Sequence, residues 1–98
     1  MLNINKTIEG TKAVIALSGR LDTLTSSDLD AQLKELTNIT ELVFDFTGLE
    51  YVSSAGLRVL LSAQKSMKGK GTMKVTHVCD EIMQIFEVTG FDTFLTIE

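Results

Sequence analysis

The spacing of apolar residues changes several times along the chain, and each change marks an element. Leu2-Asn3-Ile4-Asn5 alternates with a period of two, the pattern of an exposed edge strand. After a turn at Glu9-Gly10, Lys12 to Ser18 contains a continuous apolar run from Ala13 to Leu17. It predicts a second strand, forming a hairpin with the first. Gly19-Arg20-Leu21-Asp22 is then expected to leave the sheet. Leu29, Leu33 and Leu36 recur at i, i+4 and i+7, the spacing of an amphipathic helix ending near Leu36. Thr25 is its expected N-cap, with Asp28 as the reciprocal partner in an Asp variant of the capping box.

The middle of the chain changes period most sharply. Four of the five residues from Leu42 to Phe46 are apolar and two of them aromatic, which predicts a central strand. A turn is expected at Thr47-Gly48, followed by the pair Ser53-Ser54. Beyond it Gly56, Leu60, Ala63 and Met67, flanked by Leu57 and Leu61, fall at helical spacing. That helix stops at Gly69-Lys70-Gly71. Thr72 to Val78 predicts another strand, and Asp80 the N-cap of a third helix that buries Ile82, Ile85 and Phe86 and ends at Gly90. Phe94 to Ile97 predicts a short last strand. The order β-β-α-β-α-β-α-β implies an α/β fold, a single mixed sheet of about five strands packed with about three to four helices. Residues 1–98 are expected to form one domain.

Composition narrows the function more than the fold. The formal net charge of −4 argues against nucleic acid as a partner, since phosphate binding needs clustered Lys and Arg. The run Lys65, Lys68, Lys70 and Lys74 is read as a solvated helix end and the turn after it. No stretch approaches the ~20 apolar residues that span a membrane. The first residues lack the charged start and long apolar run of a signal peptide, so a cytoplasmic protein without a membrane partner is expected. Cys79 is the single cysteine, which excludes an internal disulfide and supplies no metal-ligand spacing.

Catalytic readings find little support. His77 is the lone histidine, placed by its neighbours Thr76 and Val78 in a strand, where a structural or surface role outweighs that of a general base. Ser53-Ser54 lacks the flanking glycines of a nucleophile elbow and a carboxylate–histidine pair to activate it. Gly69-Lys70-Gly71-Thr72 has the wrong order for a phosphate-binding loop. Asp22, Asp45 and Glu50 read as separate caps and loop residues rather than a metal cluster. No catalytic residue, metal or cofactor is therefore expected.

The serine pair carries a different kind of chemistry. A hydroxyl at a strand-to-helix junction normally caps the helix. The same place also suits a phosphate, because the free N–H groups and the helix dipole stabilise added negative charge. A phosphoserine brings about −1.5 to −2 there at neutral pH. The surface around the cap would change without unfolding of the helix.

Three segments, Leu17-Ser18-Gly19-Arg20-Leu21-Asp22, Leu42 through Leu57, and Ile85-Phe86-Glu87-Val88-Thr89-Gly90-Phe91, occur in this order over a chain that resembles a STAS domain along essentially its whole length. STAS domains are the module of bacterial anti-sigma factor antagonists, regulators of transcription by partner switching. The resemblance implies that the unphosphorylated protein binds an anti-sigma factor that is also a serine kinase, freeing a sigma factor. Phosphorylation by that kinase ends the complex, and a PP2C-type phosphatase restores it. By position relative to Gly56-Leu57 the acceptor falls on Ser54. The family's loop aspartate falls on Asp22 and its strand-end acidic position on Asp45, while Gly56 matches a glycine that admits the partner to the helix start. The implied partner-binding set is Asp22, Thr25, Asp45, Ser53, Ser54, Gly56, Leu57 and Arg58. Many members carry aspartate where this chain has Ser53, which makes Ser53 a second candidate acceptor. It also leaves an alternative, a STAS adaptor subunit of a larger transport or sensory complex without a phospho-switch.

Overall fold

A computed structural model describes residues 2–98. Strands β1 (Leu2–Glu9) and β2 (Lys12–Leu21) form the expected hairpin. Helix α1 (Ser26–Lys34), strand β3 (Glu41–Val52), helix α2 (Ser54–Met67), strand β4 (Thr72–Thr76) and helix α3 (Asp80–Thr89) follow, with a 3-10 turn at Phe91–Thr93. The sheet order is β1-β2-β3-β4, antiparallel between β1 and β2 and parallel thereafter. The parallel pairs are those whose connections contain α1 and α2, as a crossover requires.

Strand alternation places the core. Ala13, Ile15 and Leu17 of β2, Leu42, Phe44 and Phe46 of β3, and Met73 and Val75 of β4 are buried. They meet Leu29 of α1, Leu57, Leu60 and Ala63 of α2, and Ile82 and Phe86 of α3 in one cluster. Residues of the other parity, among them Val14, Ala16, Val43 and Asp45, are only half-buried. That is the mark of a sheet packed on one face.

Several boundaries differ from those expected, each for a local reason. The sheet has four strands, because the segment expected to form a fifth makes only a single bridge between Val75 and Ile97. The 3-10 turn just before it is closed by Thr93 and Phe94 N–H groups donating to Gly90 and Phe91 carbonyls, so the chain is not yet extended there. Thr47-Gly48 is no turn but the middle of β3. Gly48 passes so close to β2 that a Cβ on it would stand 2.7 Å from that of Ser18. The β2–β3 register shifts at this point, and both strands run on to Leu21 and Val52. β4 stops at Thr76 because His77 adopts φ +59°, outside the strand region. Cys79, not Asp80, occupies the N-cap position of α3, without a side-chain capping bond, its Sγ facing the Leu49 carbonyl at 3.8 Å instead. Gly90 is the left-handed C-cap expected of it, with φ +81°.

The capping box expected for α1 does not form. Thr25 does occupy the N-cap position, but with helical backbone angles and no side-chain cap bond, and the helix ends at Lys34, short of Leu36. The Thr25 hydroxyl is turned back toward the residues before it.

Candidate functional site

The ends of β2 and β3 lie side by side, with Leu21 paired to Val52. Each leads into a helix within a few residues. At the β3 end Ser53 is extended (φ −87°, ψ 173°), and its N–H donates to the Leu21 carbonyl at 2.8 Å. Its side-chain oxygen accepts from the Gly56 N–H at 3.2 Å, and its carbonyl accepts the first α2 bond, from the Leu57 N–H. Ser53 is thus the N-cap. Ser54 is the first residue of α2 and is exposed. Among the described residues no group accepts from the N–H of Ser54 or Ala55, and the first turn of α2 holds no acidic residue. Arg58, also exposed, lies four residues after Ser54 and so on the same helix face.

At the β2 end the Asp22 side chain organises a tight loop. Its Oδ1 accepts from the N–H of Leu24 at 3.1 Å and of Thr25 at 3.0 Å. The Asp22 N–H in turn donates to Thr25 Oγ1 at 2.9 Å. That hydroxyl has two acceptors in reach, Arg20 O at 2.8 Å and Asp22 Oδ1 at 3.0 Å, and its one proton serves one of them at a time. The Thr25 N–H, then its hydroxyl, then the Leu24 N–H hold the Asp22 carboxyl below its ordinary range. Donation to the charged form is the cause.

The two ends are joined through Leu21 and Gly56. Gly56 and Leu57 are buried, and a Cβ on Gly56 would meet Leu21 Cγ at 2.7 Å. The room left by this glycine is filled from inside the protein, rather than kept open for a partner as the resemblance implied. Asp22, Thr25, Ser53, Ser54, Gly56, Leu57 and Arg58 therefore share one end of the fold, with Gly56 and Leu57 as its buried support.

Asp45 does not join them. It lies seven residues before Val52 in β3, about 20 Å back along an extended strand, opposite Thr76 of β4. Its Oδ1 accepts from the Thr47 N–H at 3.0 Å and from the Thr47 hydroxyl, and His77 Nδ1 stands 3.2 Å away. The Thr47 hydroxyl contributes most to holding the Asp45 carboxyl below its usual range, with the Thr47 N–H and His77 adding to it. His77, expected inside a strand, is instead an exposed neighbour of this carboxylate.

Two features escaped the sequence reading. Arg20 stacks over the ring of Tyr51 at 4.3 Å from the centroid. The strand register predicts the pair once it is known, since the two are Cα partners, but the shift that creates this register has no sequence periodicity. Leu24, outside the helical leucine series, is 84% exposed. Two surface clefts, one lined by Leu33, Leu36, Ile39 and Met67 and the other by Leu61, Met73 and Phe94, include neither Asp22 nor Ser54. Among the described residues no helix is long and apolar enough to cross a membrane.

Comparison with known proteins adds a family. The family model described as Mlab, STAS domain, matches residues 4–97. BtrV of Bordetella bronchiseptica, a candidate anti-sigma factor antagonist, is 30% identical over 81 residues, covering 80% of this chain and 70% of BtrV. An anti-sigma factor antagonist from Mycobacterium paratuberculosis superposes with a TM-score of 0.89 at 18% identity, over 99% of this chain and 85% of its own. The anti-sigma factor antagonist SpoIIAA in its unphosphorylated form gives 0.81 at 16% identity, over 100% and 88% of the two chains. The phosphorylated form of the Bacillus protein gives 0.76 at 16%, over 100% and 91%.

Proposed function

The chain belongs to the STAS domain family, and from that premise we propose that it is an anti-sigma factor antagonist, a binding regulator without catalysis of its own. Its unphosphorylated form docks a serine-kinase anti-sigma factor with the surface around Asp22 and Ser54, which frees a sigma factor. Phosphorylation of Ser54 by that kinase turns docking off, and a PP2C-type phosphatase restores it.

The observation that carries this reading is the geometry of Ser54. It is exposed at the first position of α2, beside N–H groups that have no partner among the described residues, with no carboxylate in the first turn. A phosphate there gains from the helix dipole and from Arg58 one turn on. Ser53 is the poorer acceptor, because its oxygen already accepts from the Gly56 N–H and the residue is half-buried. The consequence for a partner is far larger than for the fold. An uncompensated phosphate buried at an interface costs several kcal/mol, enough to weaken binding by orders of magnitude. Incubation with the anti-sigma factor kinase of the same organism and ATP, followed by mass spectrometry, tests this reading. Phosphate on Ser54 is the expected result; phosphate on neither Ser53 nor Ser54 overturns it.

A second reading, an adaptor subunit of a transport or sensory complex without the switch, rests on one residue. Ser53 stands where many family members have aspartate. A Ser54→Asp variant that binds its partner as tightly as wild type favours the adaptor.

A further inference from the structure

The lysine run Lys65, Lys68, Lys70 and Lys74 takes no part in the site described above, and the fold divides it. Lys70 lines the cleft beside Leu36 and Ile39. Lys65, Lys68 and Lys74 line the other cleft, about 710 Å³ in volume, between the end of α2, β4 and residues 93–96. That volume lies within the range of ligand-binding clefts. Leu61, Met67 and Phe94, the last 59% exposed, form its apolar walls. No Asp or Glu lines it, in a chain with 13 acidic against 9 basic residues. Lys74 is paired with Glu98 at 3.6 Å, while Lys65 and Lys68 have no carboxylate partner among the described residues. Complementing the negative end of the α2 dipole accounts for Lys65 and Lys68. It does not account for Lys74, which belongs to β4, or for walls free of acidic residues. A cleft lined by one sign of charge focuses its field and attracts the other sign. The occupant that fits is anionic and partly apolar.

The main chain in the cleft decides between anions of that kind. Alternate residues of a strand turn their N–H and C=O groups to opposite sides. The Thr72 N–H donates toward β3, to the Thr40 carbonyl. Val75 faces the free edge, its N–H donating to the Thr96 carbonyl at 2.8 Å and its carbonyl accepting from the Glu98 N–H at 2.9 Å. Met73 shares the parity of Val75 and lines the cleft, yet its N–H and carbonyl have no partner on that side among the described residues. The chain's own last segment does not extend the ladder to it, because the Phe94 and Leu95 N–H groups are held in a turn onto the Phe91 carbonyl. An acyl chain laid over Met73 would leave a donor and an acceptor unpaired. An extended peptide supplies a partner for each, as in strand addition to a sheet edge.

We propose that this cleft is a second docking site, which takes an extended acidic segment of a partner protein. The segment's main chain lies along Met73, an apolar residue enters between Leu61, Met67 and Phe94, and acidic residues meet Lys65 and Lys68. The site stands at the far end of α2 from Ser54, roughly 20 Å along its 14 residues, and does not rest on the function proposed above.

The test titrates isotope-labelled protein with a capped hexapeptide of alternating aspartate and leucine, and follows each backbone amide by NMR. The expected result is saturable shifts at Lys65, Lys68 and Met73, slowed solvent exchange of the Met73 N–H, and none of this at Ser54. The double variant Lys65→Gln, Lys68→Gln should bind roughly tenfold more weakly. It should melt close to wild type, since both side chains are exposed. A hexapeptide of alternating lysine and leucine should not bind. No saturable shift at about 1 mM acidic peptide, or shifts centred elsewhere, overturns the site. Equal binding of the basic peptide, or undiminished binding to the double variant, overturns the role of the lysines. Laurate or a thymidine oligonucleotide that binds the cleft more tightly than the peptide, without protecting the Met73 N–H, overturns the peptide assignment. None of these outcomes bears on phosphorylation of Ser54, so the two readings fail separately.

Discussion

Leu21 and Gly56 occupy one space: the leucine side chain at the end of β2 sits where a Cβ on the first turn of α2 would be, with Cγ at 2.7 Å and the Leu21 carbonyl oxygen at 3.1 Å from that point. Leu21 is fully buried, so it has little room to withdraw. Through this contact the Asp22 loop and the serine cap are held at a fixed separation.

Gly56→Ala tests that contact. Alanine favours a helix interior over glycine by about 1 kcal/mol, while overpacking a filled core costs about 1–3 kcal/mol. Because the atoms in the way are a branch-point carbon and a backbone oxygen, overpacking should prevail, with a net loss of up to about 2 kcal/mol. Urea unfolding checks it as a lower midpoint at unchanged slope. A higher midpoint would mean that Leu21 moves aside freely.

The two serines should separate cleanly by stability. Ser53→Ala removes the oxygen that accepts from the Gly56 N–H and should cost about 1 kcal/mol, the usual price of a lost N-cap. Ser54→Ala removes a hydroxyl with no protein partner among the described residues and should shift stability by less than about 0.5 kcal/mol. Thermal melts of the two variants decide it; equal losses would contradict the assignment of Ser53 as the cap.

How much of this was legible beforehand follows the range of the interactions. The hairpin, the three helices and the order of elements through α3 show in apolar runs and periodicity, because burial against one core imposes them on Ala13 to Leu17, Leu42 to Phe46 and Leu57 to Met67. The serine cap was legible too, as a hydroxyl before a helical pattern. What periodicity could not reach depends on close approach between distant segments. Gly48 reads as a turn because its contact with Ser18 is a matter of register, and Thr25, though at the N-cap position, lacks the expected capping bond because its hydroxyl's acceptors lie behind it. Asp45 was grouped with the serines by resemblance alone, whereas strand length sets it well away from them.

Acid should weaken the fold through carboxylates whose charged forms are hydrogen-bonded. Asp45 is held low chiefly by the Thr47 hydroxyl, and Asp22 by the Thr25 N–H. A folded value below the unfolded one of about 3.9 means that the stabilisation is fully present above that pH. It is lost as pH falls through the folded values. Thr47→Val should therefore be less stable than wild type at pH 7, with the difference shrinking below about pH 4 as Asp45 protonates. Denaturation at a series of pH values measures it, and a difference that persists unchanged at pH 2–3 would assign the effect to packing instead.

Phosphorylation of Ser54 should leave the fold intact and slightly more stable. The phosphate would sit at the first position of α2, where the dipole and unpaired N–H groups favour an anion by about 0.3–1 kcal/mol, and where Arg58 is one turn away. Both terms act through solvent and should fade as salt screens them. The phosphorylated chain should therefore melt at or slightly above the unmodified one at low ionic strength, with the gap closing near 1 M salt and narrowing in Arg58→Ala. The same modification is expected to abolish partner binding, so the loss of binding cannot come from unfolding. A phosphorylated chain that melts well below the unmodified one would show instead that the phosphate disrupts the cap, and the switch would then be a folding event rather than a surface one.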